Sequence, residues 1–209
     1  MEPHPVRDCL EILYFLSGIV VAVAAIVGLY QLVLTKRASQ MNAKRAAFAL
    51  ATEQCQIYLN QVIPLINALN DKLDGMKIES FGTSEIHIEE DGVKFSVKIK
   101  QLTDKQNENL TEPTLAVYNA LEAFSVNFTS RVAAESVAFA TVGRTFCNSV
   151  ELLLPELVPL SQSGYFKNTV RLFALWYPRL KKNELEQKKL ALQRQCDEIK
   201  DVRIKAMGT

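Results

Sequence analysis

One stretch limits this chain more than any other. Ile12 to Leu34 (ILYFLSGIVVAVAAIVGLYQLVL) contains no ionised side chain, and Gln31 is its only strongly polar residue. At a rise of ~1.5 Å per residue, such a helix is ~34 Å long and crosses a hydrocarbon core of ~30 Å with modest tilt. A secretory signal peptide would carry a shorter apolar region and end at its cleavage site. Here Ala22-Val23-Ala24 has the small-x-small form, but ten more uncharged residues follow it. A buried core helix would keep a polar edge, and this stretch has none. The expectation is a single-span membrane protein in contact with the lipid bilayer.

The flanks set its direction. Lys36, Arg37, Lys44 and Arg45 follow the span, whereas Arg7 stands before it among Glu2, Asp8 and Glu11. Excess Lys and Arg mark the cytoplasmic side, which predicts an outside N-terminus and a cytosolic C-terminal domain. Within the span, a wheel of about 100° per residue gathers Ser17, Ala24, Gly28, Gln31 and Thr35 along one line, with Gly18, Ala22 and Ala25 on its flank. Bulky residues, among them Leu16, Val20, Val27 and Tyr30, take the other side. Association inside lipid relies on close backbone approach and interhelical hydrogen bonds, so the small and polar stripe is the expected oligomer or pore face.

The rest of the 209 residues is long enough for one domain with a real core. Net charge is +1, which advertises no affinity for nucleic acid. Cys9, Cys55, Cys147 and Cys196 make no CxxC pair, and the only histidines are His4 and His87, so neither metal nor cofactor is expected. The fold class expected is mainly α: the transmembrane helix 12–34 after a short external tail 1–11, a stalk helix 35–75, one β-hairpin with its loop in 76–109, a helical bundle 110–178 and a charged C-terminal helix 179–209.

Several local features carry that division. Phe48, Ala51, Cys55, Tyr58, Val62, Leu65, Leu69 and Leu73 recur at helical spacing, with Pro64 loosening the stalk and Gly75 stopping it. Glu85–Glu90 and Val93–Lys100 alternate around Asp91-Gly92, which predicts a type I′ turn with Ile88 opposite Phe95, Ile86 opposite Val97 and His87 opposite Ser96. Gln101–Asn109 reads as a loop, followed by a helix capped by Thr111 or Glu112 with Pro113 in its first turn. Leu115, Tyr118, Leu121, Phe124 and Phe128 form its buried stripe. A second helix, Ala134 to Leu154, ends at Pro155 and Pro159, and buries Phe139, Val142, Phe146, Val150 and Leu153. A third, with Phe166, Val170, Phe173 and Trp176, closes or bends at Pro178.

The tail from Arg179 to Lys205 carries nine Lys or Arg against five Asp or Glu. Leu185, Leu192, Cys196 and Ile199 give it only a narrow seam. It suits a solvated helix, a coiled-coil contact or a basic surface for anionic lipid or RNA. The sequence has no Gly-rich phosphate loop, HExxH or GxSxG. Its best polar constellation is Arg144, Asn148 and Glu151 at steps of four and three, with Glu135 at the start of the same helix. Arg144 and Asn148 could hold an anion or a backbone kink; such residues more often form a helix-surface salt bridge or tie down a neighbouring loop.

The order anchor, stalk, then Asn119-Ala120-Leu121-Glu122-Ala123-Phe124, Glu135, Gly143-Arg144, Glu151, Pro155 and Leu172…Trp176 resembles a loose family of bacterial single-pass proteins with a cytosolic helical domain. That group is similar to the membrane accessory protein of type VI-B CRISPR systems, whose cytosolic part resembles the HEPN helical fold. The resemblance implies an inner-membrane location, homo-oligomers, a CRISPR or other defence partner, and membrane perturbation in phage defence. HEPN ribonucleases use Arg and His four to six residues apart. This chain has Arg144 and Asn148 with no histidine in the bundle, and Asn moves no proton near neutral pH. The expectation is therefore a non-enzymatic effector; a HEPN-like domain that binds or cleaves RNA and a plain anchored scaffold are the alternatives.

Overall fold

A computed structural model describes residues 5–90 and 92–198. The elements in order are α1 (Pro5–Ile57), a π-helical turn (Tyr58–Val62), α2 (Ile63–Gly75), β1 (Gly82–Glu89), β2 (Gly92–Ile99), α3 (Asp104–Thr129), α4 (Glu135–Gln162) and α5 (Lys167–Glu198). The fold is mainly helical with one small hairpin. The chain divides into two compact units, Met1–Ala47 and Phe48–Thr209, with the boundary inside α1.

In the first unit α1 carries an apolar window none of which is buried among the described residues. It is long and apolar enough to cross a membrane. By length and composition α4 is too, which the sequence reading did not anticipate, but 44% of its apolar window is buried in the bundle.

The second unit is a helical bundle. The expected stalk stripe buries Ala51, Cys55, Tyr58, Val62, Leu69 and Leu73, whereas Phe48 and Leu65 are exposed and Ile66 takes the inward place. The π-helical turn stands just before Pro64, which cannot donate a backbone hydrogen bond to the preceding turn. The chain leaves α2 through Lys77, whose φ is +57°.

The hairpin is antiparallel, but its register differs from the expected one. Ile86 pairs with Phe95, Ile88 with Val93 and His87 with Lys94. Glu89 pairs with Gly92, so the connection is Glu90 and residue 91; Asp91, half of the expected turn, lies outside the described residues. A slip of two residues leaves every side chain on its original face, and alternation alone cannot separate the two registers. Lys94 stands opposite His87 and forms an ion pair with Glu89 on the diagonal. His87 is exposed, 3.8 Å from Glu85. At the far end, a Cβ on Gly82 would lie 2.0 Å from the Lys98 carbonyl oxygen, so glycine permits the close crossing there.

Three helix boundaries depart from expectation. Thr103, not Thr111 or Glu112, caps α3: its hydroxyl accepts from the Gln106 amide and Gln106 Oε1 accepts from the Thr103 amide. Pro113 therefore lies within the helix. α4 runs through Pro155 and Pro159 to Gln162, and α5 runs through Pro178 to Glu198, joining the third helix to the charged tail. An interior proline costs about 3 kcal/mol in an isolated helix. Here Leu153, Leu154, Leu157 and Val158 are buried around Pro155, and Trp176, Tyr177 and Leu180 around Pro178, so packing outweighs that cost.

Trp176 is the centre of the bundle. Its ring meets Phe124, Phe128, Phe139 and Phe146 at centroid distances of 6.3, 5.9, 5.7 and 5.1 Å. Phe95 of the hairpin lies 6.0 Å from Phe173, which ties β2 to α5. Leu185, Leu192 and Cys196 of the expected seam are exposed, and Ile199 lies outside the described residues. Cys55 and Cys147 are buried free thiols; His4 and the side chain of Cys9 lie outside the description.

Candidate functional site

The bundle contains a cleft of 360 Å³ bounded by α3, the end of α4, the turn into α5, and Phe81 and Leu102 beside the hairpin. Its wall is largely apolar: Phe81, Leu102, Leu110, Leu115, Leu160, Tyr165 and Phe166. Leu115, expected in the buried stripe, is instead exposed at this wall, as is Tyr165. Phe166 holds φ +52°, a conformation that side chains rarely adopt. Its ring packs edge-on against Tyr118 at 5.3 Å, and that contact fixes the cleft wall.

Asn107, Thr111, Thr114, Tyr118 and Glu156 interrupt the apolar lining, and two features among them bear on its chemistry. Tyr118 donates its phenolic hydrogen to Glu156 Oε2 at 2.7 Å. Thr114 is buried, and among the described residues its hydroxyl has no hydrogen-bond partner. An unpaired buried hydroxyl costs about 1–3 kcal/mol, so a group that satisfied it would recover much of that.

Burial raises the Glu156 carboxyl above its ordinary 4.5, and the hydrogen bond from Tyr118 opposes the rise. Burial, then the charge of Glu156, raises Tyr118 above the ordinary phenol value. Because the folded chain holds the Glu156 proton more tightly than the unfolded chain, ionisation works against folding. Stability contributed by this group falls as pH rises from its ordinary value through its raised one. Glu156→Gln is expected to remove that fall, so the stability of wild type relative to the variant should decline as pH rises. Urea unfolding at a series of pH values from about 4 to about 7 measures it. Parallel curves would refute the assignment.

The polar constellation read from α4 is not one site. Arg144 reaches Glu184 of α5 at 3.3 Å with its side chain largely exposed, an ion pair of small energetic weight. Asn148 is exposed one turn further on, and Glu151 accepts from the Tyr177 hydroxyl at 3.4 Å. Glu135 lies elsewhere, accepting from Trp176 Nε1 and from the Arg179 guanidinium, which also stacks over Phe139 at 4.2 Å. These residues tie α4 to α5. Ser17, Gly18, Ala22, Ala24, Ala25, Gln31 and Thr35 are exposed on α1 and Gly28 is half-exposed; a Cβ added at Gly18 or Gly28 would meet nothing.

Sequence reasoning passed over the cleft because its lining comes from four separate segments. One signal was available: Glu156 stands alone in the apolar run Leu152-Leu153-Leu154-Pro155-Glu156-Leu157-Val158-Pro159-Leu160. A carboxylate in such a run needs a partner. Glu122 was quoted only within the resemblance and given no role. It crosses from α3 to accept from the Asn168 amide and Nδ2 and from the Thr169 amide and hydroxyl. No protein-family model, curated protein or solved structure matches this chain.

Proposed function

We propose that this chain is a single-pass membrane protein that acts by assembling with copies of itself in the bilayer and perturbing it, with its helical bundle in the cytosol. The observation that carries the reading is the uncharged run from Ile12 to Leu34, on a helix whose apolar window is unburied among the described residues. The Lys and Arg after the span support an outside N-terminus. Gly18 and Gly28 support the assembled face: each weakens a helix by about 1 kcal/mol relative to Ala, and neither has an intrachain contact requiring it. Close approach of a second helix would supply the compensation.

The test measures complex mass after mild detergent extraction together with dye leakage from cells or liposomes. Gly28→Leu is expected to reduce the wild-type complex to smaller species and suppress leakage, while Val27→Leu changes neither. A monomeric wild type, equal effects of the two variants, or a mature chain cleaved after the apolar run would each overturn the proposal.

A further inference from the structure

The cleft beside Tyr118 and Glu156 lies wholly within the bundle and does not depend on how the span behaves. Three observations bear on its chemistry. Among the described residues, no Lys, Arg or His lines it, and Tyr118 is the only hydrogen-bond partner of Glu156. The Tyr118 contact uses Glu156 Oε2 and leaves Oε1 without one. The buried Thr114 hydroxyl is unsatisfied on the same lining.

We infer that this cleft is a binding site for a small hydrophobic amine, whose ammonium group pairs with Glu156 and whose apolar body lies against Phe81, Leu110, Leu115 and Phe166. Charge complementarity selects the head group. An anionic ligand such as a fatty acid would bring a second negative charge beside a carboxylate with no cation to offset it. An ammonium supplies the missing counter-charge and donates charge-assisted hydrogen bonds to the open carboxylate oxygen. The volume lies in the range of small-molecule sites, and a few polar groups set in an apolar wall are the usual arrangement for orienting a ligand. Burial raises the affinity of Glu156 for a proton, and a bound ammonium would favour the charged form instead.

The test uses the full chain in lipid nanodiscs, with empty nanodiscs to subtract membrane partitioning. Calorimetric titration compares 4-phenylbutylamine with 4-phenylbutyric acid, which shares its apolar body. The amine is expected to bind and the acid to bind at least about tenfold more weakly. Glu156→Gln, which keeps an acceptor for Tyr118, should weaken the amine on the order of tenfold and narrow its advantage over the acid. Leu115→Trp, at the exposed wall, should block both. Folding of each variant is verified by circular dichroism. Equal binding of amine and acid, amine binding unaffected by Glu156→Gln, or no amine binding to folded wild type would overturn the assignment.

Discussion

Trp176→Ala is expected to destabilise the bundle by about 3–5 kcal/mol, the range for deleting a large buried aromatic side chain. The indole is fully buried and touches four phenylalanine rings from α3 and α4, so no neighbour can fill the space without losing contacts of its own. A polar loss adds to the cavity. Trp176 Nε1 donates to Glu135, and after the substitution that carboxylate keeps only Arg179. Domains of this kind are stable by about 5–15 kcal/mol, so the variant should be partly unfolded at moderate temperature. Far-UV circular dichroism during urea unfolding measures the change. Trp176→Phe should recover a large part of it by refilling the apolar volume without restoring the hydrogen bond. A loss below about 1 kcal/mol for the alanine variant would refute the central role assigned to the indole.

Glu122→Ala is expected to cost about 2–4 kcal/mol, although Glu122 is only half-buried. Its two carboxylate oxygens accept four hydrogen bonds, at 3.1 and 2.8 Å from Asn168 and at 2.9 and 2.9 Å from Thr169. Two of the donors are amides in the first turn of α5, where no preceding helical carbonyl is available to them. The negative charge also faces the positive end of the helix dipole. A side chain on one helix thus caps the next. Glu122→Gln should cost less than alanine but remain measurable, because one carboxamide oxygen cannot serve both donor pairs and its NH₂ group would confront an N–H. Hydrogen exchange at the Asn168 and Thr169 amides should accelerate in both variants. Unchanged exchange, with stability altered by less than about 0.5 kcal/mol, would show that the cap has no energetic weight.

These two residues also mark what could be seen in the sequence. Trp176 stood out because Phe166, Val170, Phe173 and Trp176 recur at helical spacing. Glu122 had no such sign, because its partners lie 46 and 47 residues away and nothing near it in sequence demands an acid. The same contrast runs through the fold. Alternation in the hairpin placed Ile86, Ile88, Phe95 and Val97 on one face, but a period of two is blind to a shift of two, and the pairing came out differently. Prolines suggested a helix end at 155 and 159 and an end or bend at 178. Local propensity favours a break there, and the buried residues on either side hold the helix together. The polar residues of α4 were visible as a stripe, yet their partners Glu184, Tyr177, Trp176 and Arg179 all belong to α5, which periodicity within α4 cannot reveal. The cleft needed four segments brought together.

The unbroken course of α5 has a mechanical consequence. From Leu185 to Glu198 it is an arm of ~20 Å at ~1.5 Å per residue. Its root is clamped by Glu122 and Trp176 before Pro178, and by Arg179, the buried Leu180 and Glu184 after it, while Leu185, Leu190 and Leu192 on the arm are exposed. A bend of about 10° beyond Glu184 would sweep the tip through ~4 Å, while the aromatic packing around Trp176 need hardly move. The helix is therefore a pointer whose reading changes far more than its pivot.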